Sequence, residues 1–253
     1  MLDKQSFVEK LRLSHTKEAI RKRLKQGPKH SYLKDFIYGA IDGTVTTFAV
    51  VAGVAGAQLS HKIVIILGLA NVLGDGFSMA VSNFLGTRAE QELKAKAEAE
   101  EKMHIALVPE GEKEEVRQIF AAKGFQGEDL NRIVTVITSD VKLWLNTMVQ
   151  EELGLGATGA SPFRAALYTF FAFISIGLFP LLSFILAFFF ANLQFDPFRW
   201  SMCITGAAFF IIGAFKSRFV SKKWYTSGLE TFFVGGCAAL LAYIVGVLLK
   251  GIS

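Results

Sequence analysis

The chain has 253 residues, of which 52% are hydrophobic and 24 are Phe, and its mean hydropathy is +0.40. That is too apolar for an ordinary soluble domain of this length. The formal charge of +5 is concentrated towards the N-terminus, where it reads as a topology and lipid-headgroup signal rather than as nucleic-acid binding.

Apolar stretches at 35–57, 63–86, 164–191, 198–215 and 228–249 are each near the roughly 20 residues that a helix needs to cross about 30 Å of hydrocarbon. The expected fold is therefore all-α: a five-span helical membrane protein with a cytosolic three-helix insertion between spans two and three. Its parts are a basic N-terminal segment (1–34), spans one and two (35–87), the helical insertion (88–163) and spans three to five (164–253). No secretory signal is expected, because the first apolar run begins after residue 34 and is too long for one.

The first 34 residues carry ten Lys and Arg, and the stretch 6–26 reads as an amphipathic basic helix lying on the cytosolic leaflet. Within span one, Asp42 is a carboxylate inside the bilayer, which costs at least about 2.5–3.5 kcal/mol and is a functional-site candidate by default. Asp35 lies two turns earlier on the same face, near the membrane edge and beside Lys34, and Thr46 lies one turn later. In span two, Asn71, Asp75, Met79 and Asn83 recur every four residues and make one polar stripe. A hydrogen-bonded helix seam, eased by Gly74, Gly76 and Ala80, is the plainer explanation. A seam needs amides and hydroxyls, however, and this stripe also holds a carboxylate and a thioether. Oxygen with sulfur suits Fe²⁺, Mn²⁺ or Zn²⁺ better than Mg²⁺ or Ca²⁺.

The insertion opens with a helix from Arg88 to His104, dense in Glu and Lys. The pairs Glu90–Lys94, Glu92–Lys96 and Glu98–Lys102 suit a solvated surface helix and leave Glu100, Glu101 and His104 unmatched. Glu101 and His104, three apart, share a face and are adequate as two ligands of one ion. A second helix is expected from near Glu112 to Gly124, a C′ glycine. Its Glu112 and Glu115 repeat the spacing of three, although first-turn acids also complement the helix dipole. A third helix over about 128–153 carries an apolar stripe from Leu130 to Met148 and ends in Glu151 and Glu152. Two carboxylates in a last turn oppose the dipole, and a bound cation would explain them. Met148 and Glu152 repeat the sulfur-plus-oxygen pairing.

Ser161 and Pro162 read as an N-cap and first helical residue that open span three. Spans three to five, rich in Phe, Leu and Ala, are expected to form the lipid-facing wall, with Cys203 and Cys237 as packing residues. The basic residues put the N-terminus and the insertion in the cytosol and the Lys250–Ser253 tail on the far side.

The segments Asp35-Phe-Ile-Tyr-Gly-Ala-Ile-Asp42-Gly, Gly74-Asp75-Gly-Phe-Ser-Met79 and Glu151-Glu152-Leu-Gly-Leu resemble the vacuolar iron transporter family, the group that includes the yeast cross-vacuolar calcium and iron transporter. Their order, with the insertion between spans two and three, extends the resemblance over nearly the whole chain. It implies a homodimer with a metal pathway at its two-fold interface, lined by span one, and proton-coupled export of Fe²⁺ from the cytosol. Asp42 and Met79 match the family's pathway residues. Glu101, Glu112, Glu115, Met148 and Glu152 fall where the family has cytosolic metal ligands, and His104 falls where plant members have a Glu.

The expected function is divalent-metal transport, with Fe²⁺, or else Mn²⁺ or Zn²⁺, bound as substrate and protons as counter-ions. No prosthetic group is expected. Alternatives are a Mn²⁺ or Ca²⁺ exporter and a membrane-anchored metal sensor or buffer. An enzyme is not expected, for want of a nucleophile–base pair, phosphate loop or cofactor fingerprint. A bacterial inner membrane is favoured over a vacuolar one as the location.

Overall fold

The computed structural model describes residues 4–26, 31–156, 159–190 and 195–251; parts of the basic N-terminal segment (1–3, 27–30) and of the C-terminal tail (252–253) lie outside them. Every regular element among the described residues is a helix. The chain divides into two compact units, residues 1–30 with 88–159 and residues 31–87 with 160–253.

In the first unit, α1 (Lys4–Ser14) and α2 (Lys17–Gln26) replace the single helix expected over 6–26. Side chains at the break take the backbone groups that a continuous helix would use. Ser14 Oγ donates to the Leu11 carbonyl at 2.7 Å, and Thr16 Oγ1 accepts from Ala19 N at 3.3 Å, the competition expected of Ser and Thr.

Helix α4 (His61–Leu107) is one unbroken helix of 47 residues that unites the second apolar stretch with the first helix of the insertion. The division between the units falls within it, between Thr87 and Arg88. No proline interrupts it, and beyond residue 88 its composition of Ala, Glu, Lys and Leu is strongly helix-forming. The ion pairs on that part run Lys or Arg before Glu, reversing the expected order: Arg88–Glu92 at 2.7 Å, Lys94–Glu98 at 3.7 Å and Lys96–Glu100 at 3.6 Å.

Helix α5 (Pro109–Ala122) ends in a Schellman motif. Gly124 adopts φ +97°, Phe125 N donates to the Phe120 carbonyl at 3.2 Å, and the Phe120 and Phe125 rings meet edge to face at 5.9 Å. The third insertion helix is in fact two, α6 (Gly127–Thr138) and α7 (Val141–Glu151), so the three-helix expectation fails. Asp140 is the cause: its carboxylate accepts from Lys142 N at 2.8 Å and Leu143 N at 3.1 Å, starting a new helix where the apolar period alone suggests continuation. The two still share one core, in which Val134, Ile137, Trp144 and Met148 close over Ile105 and Val116.

In the second unit, α3 (Leu33–Gly56) is the central helix. It packs against α8 (Pro162–Gly177), α9 (Phe179–Phe189), α10 (Pro197–Lys216) and α11 (Trp224–Leu249). Small residues permit this close approach: a Cβ on Gly43 would lie 2.6 Å from the Phe173 carbonyl oxygen, and one on Gly177 would lie 3.0 Å from that of Gly43. Phe48, Val51, Val64, Val72, Leu181, Phe184 and Phe209 fill the core. The expected third span is two helices, α8 and α9, bent by 48° at Leu178, where Pro180 opens the second and cannot continue the backbone hydrogen bonding of the first. α8 is more than a lipid-facing wall, because Thr169, Ala172 and Phe173 are wholly buried. Cys203 and Cys237 are exposed on the chain rather than packed. Among the described residues four helices, α3, α4, α10 and α11, are long and apolar enough to cross a membrane, and α8 with α9 makes five if the bent pair is one span.

Candidate functional site

The predicted residues fall into two groups, one in each unit. The first is a polar seam between α3, α4 and α8. Asn71 lies on α4 and donates through Nδ2 to Thr46 Oγ1 at 3.3 Å and Thr47 Oγ1 at 3.4 Å on α3. Thr46 in turn donates to the Asp42 carbonyl at 2.9 Å. One turn along α4, Asp75 lies within electrostatic reach of Asp42, so two carboxylates share one neighbourhood in a mainly apolar unit. Met79 follows one turn later and is half-buried. At Asn83 the stripe closes a three-helix contact: its amide donates to Asp35 Oδ1 at 2.9 Å and Thr169 Oγ1 at 2.8 Å, while Thr87 Oγ1 donates to its carbonyl at 3.4 Å.

Thr169 escaped the sequence reading. A lone Thr in a Phe-rich helix carries little signal; the hint available was that it is a polar residue amid Tyr168, Phe170 and Phe171. Thr47 escaped for a similar reason, since Thr in helices commonly bonds its own backbone. Tyr32 fixes the neighbouring helix starts: its hydroxyl accepts from Ser161 N at 2.8 Å, and its ring stacks on Tyr168 at 5.2 Å.

The second group is a carboxylate cluster in the other unit, gathered from α4, α5 and the end of α7. Glu101 and Glu112 are 4% and 6% exposed, values rare for glutamate without a compensating partner. Their carboxyl groups lie within hydrogen-bonding reach of each other, a contact that forms only when one of them carries a proton. Burial, that hydrogen bond and the nearby charges of Glu112, Glu152 and Glu115 push Glu101 up to about 8. Glu152 is also raised, by burial and then by Glu115 and Glu112, with His104 acting in the opposite sense. His104 Nδ1 stands 3.7 Å from Glu112 Oε1. Two buried oxygens, Glu101 Oε1 and Glu112 Oε2, have no hydrogen-bond partner.

These positions therefore share one electrostatic neighbourhood, although among the described residues no three His, Cys, Asp or Glu side chains already stand in a metal-holding arrangement. Met148 is wholly buried in the apolar core beside the cluster. Glu151 needs no bound ion, because Lys123 forms an ion pair with it. Of the two carboxylates that end α7, only Glu152 is left facing the acidic group.

The model of the VIT family matches residues 33–247, which takes in both groups. The chain belongs to the VIT family. It is 35% identical over 225 residues to the vacuolar iron transporter of Toxoplasma gondii, covering 87% of this chain and 74% of that protein. Against the vacuolar iron transporter of Plasmodium falciparum it is 30% identical over 236 residues, with 89% and 86% covered. Against vacuolar iron transporter 1 of Arabidopsis thaliana it is 31% identical over 212 residues, with 83% of each chain covered. Family membership and the candidate spans together make this an integral membrane protein.

Proposed function

We propose that the chain is a proton-coupled exporter of Fe²⁺, accepting Mn²⁺ as well, built as a dimer of five-span subunits in which α8 and α9 form one bent span. In this reading the N-terminus and the unit containing Glu101 lie in the cytosol, as the distribution of basic residues favours. The relatives named as iron transporters supply the substrate class.

The observation that carries the proposal is the buried pair Glu101–Glu112 with two unpartnered oxygens, in the electrostatic neighbourhood of Glu115 and Glu152 and with His104 3.7 Å from Glu112. A cation entering such a group displaces the shared proton and satisfies the orphaned oxygens, so metal and proton compete for the same atoms. The cluster then works as a collecting station whose carboxylates, with Met148 one turn before Glu152, take up metal. In the spans, the carboxylates of Asp42 and Asp75 and the thioether of Met79 provide oxygen and sulfur for a borderline divalent ion. Asp35, held by Asn83, and the Asn71–Thr46 contact position the walls of that path. Asp42 exchanges metal for a proton.

The test is metal flux into proteoliposomes with an internal pH dye, comparing Fe²⁺, Mn²⁺, Zn²⁺ and Ca²⁺. Fe²⁺ and Mn²⁺ uptake with opposite proton movement, abolished by Asp42→Ala, is the expected result. Metal binding without flux in correctly oriented protein would overturn the transport reading in favour of a membrane-anchored sensor or buffer.

A further inference from the structure

We propose that α9 and α10 move as one body against α3, α4 and α8, hinged at Leu178–Pro180, and that this movement uncovers the far end of the seam that holds Asp42. The movement stands on the packing alone; its place as a step of transport rests on the exporter reading above.

The hinge is a break in hydrogen bonding. Leu178 N donates to the Ile174 carbonyl at 3.1 Å, and Leu181 N donates to that of Leu178 at 3.0 Å, but Pro180 has no N–H to offer Ile176. The axis turns by 48° there. The halves on either side of the bend are held by different helices. On α8, a Cβ at Gly177 would lie 3.0 Å from the Gly43 carbonyl oxygen, and Thr169 Oγ1 donates to the Asp35 carbonyl at 3.4 Å, so backbone meets backbone along α3. On α9, Ser183 Oγ donates to the Pro197 carbonyl of α10 at 2.7 Å, and Ser201 Oγ of α10 returns a bond to the Pro180 carbonyl at 2.6 Å. Both serines are wholly buried, out of reach of competing water, so this reciprocal pair ties α9 to α10.

Towards α4, the contacts of α9 are of another kind. Leu181 fills the space over Gly68, where a Cβ would lie 2.9 Å from its Cδ1, and the Phe184 ring meets that of His61 edge on at 5.5 Å. Among the described residues no side-chain hydrogen bond joins α9 to α3 or α4. Apolar surfaces can slide, whereas hydrogen-bonded ones cannot without leaving buried polar groups unpaired. The hinge also lies at a useful level. Gly177 packs on Gly43, the residue after Asp42, and Gly68 lies one turn before Asn71, so Leu181 covers α4 beyond the Asn71–Thr46 contact. At the opposite end of the seam Asn83 is bonded to Asp35 and Thr169. One end is therefore held by hydrogen bonds and the other by apolar contact alone.

The experiment is pulsed electron paramagnetic resonance on the full-length protein in lipid nanodiscs, spin-labelled in a Cys203→Ala/Cys237→Ala background and diluted with unlabelled subunits. Label pairs at Phe171→Cys/Phe188→Cys, across the hinge, and at Phe188→Cys/Ile211→Cys, within α9 and α10, replace side chains exposed on the chain. The expected result is two distance populations for the first pair, changing in proportion when Zn²⁺ is added, and one for the second. Pro180→Ala, which restores the missing N–H, merges the first pair's populations, and Ser183→Ala/Ser201→Ala splits the second pair's. A single first-pair population with and without Zn²⁺ overturns the hinge. So does a second pair that splits before any serine is changed, because α9 then moves without α10. Iron flux measured on the same samples separates the two readings: two populations in a protein that moves no metal uphold the hinge and count against the exporter.

Discussion

The polar seam of α3, α4 and α8 and the carboxylate cluster of α4, α5 and α7 contain similar residue types but handle them in opposite ways. In the seam, amides and hydroxyls take up one another's hydrogen bonds, with Asn83 alone tying together three helices. In the cluster, two buried carboxylate oxygens have no partner, and the neighbouring acids push the Glu101 carboxyl up. A satisfied polar network specifies packing, whereas an unsatisfied acidic one stores affinity for whatever cation arrives. The seam's exception is the pair Asp42 and Asp75, two acids within electrostatic reach of each other.

The sharpest way to break the comparison is Asp42→Ala. Flux should fall to background while metal binding to the cluster, read by isothermal titration, stays within about twofold of wild type, since sites that share no partners act independently. If binding collapses too, the two regions are not separable.

Next in size is Glu101→Gln, which removes the proton-sharing acid. Metal affinity should drop by at least the roughly tenfold to hundredfold that even outer-shell changes cause. The same variant tests the titration. Because the Glu101 carboxyl is raised to about 8, the folded domain holds a proton that the unfolded chain has already released. Metal-free stability should therefore be greatest below the ordinary carboxylate range, decline as pH rises towards about 8, and level off beyond it. Thermal denaturation between pH 5 and pH 9 should show this decline in wild type and a flatter profile in Glu101→Gln. A wild-type stability that rises over that interval would contradict the shared proton.

Smaller effects test the seam. Asn83→Ala removes bonds to Asp35 and Thr169 and should cost about 0.6–1.7 kcal/mol, the range for hydrogen bonds between membrane helices, measured by unfolding in detergent. Smallest of all is Lys123→Ala. Its pair with Glu151 is partly exposed, so stability should change by less than about 1 kcal/mol. Metal affinity should rise slightly as Glu151 is freed near the cluster.

Much of this arrangement was legible in the residues, and the failures have identifiable causes. Apolar runs long enough to cross a membrane marked α3, α4, α10 and α11, because hydrophobic length is a local property of the chain. Periodicity marked α5 and its glycine stop at Gly124. It did not show that residues 128–153 divide at Asp140, since the apolar stripe runs across the break and only the capping carboxylate interrupts it. Nor did it show that α4 continues past residue 88: a change in composition looks like a boundary, but the backbone hydrogen bonds of a helix are indifferent to whether its side chains face lipid or water. The order of the ion pairs on that part was misread for a related reason, because Lys94 and Lys96 each have an acid four residues before and four residues after and rotamers decide between them.

The sequence by itself determined the helical class, the candidate spans, the four-residue stripe on α4 and the presence of acids at spacings that share a face, all of which depend on neighbours within a few turns. Only the tertiary structure decided which acids are buried together, that Lys123 neutralises Glu151 but leaves Glu152, and that Thr169 completes the contact around Asn83. The physical reason is that burial and pairing arise between residues far apart in the chain. Thr169 lies 86 positions from Asn83, and no local pattern in a chain records a partner at that distance.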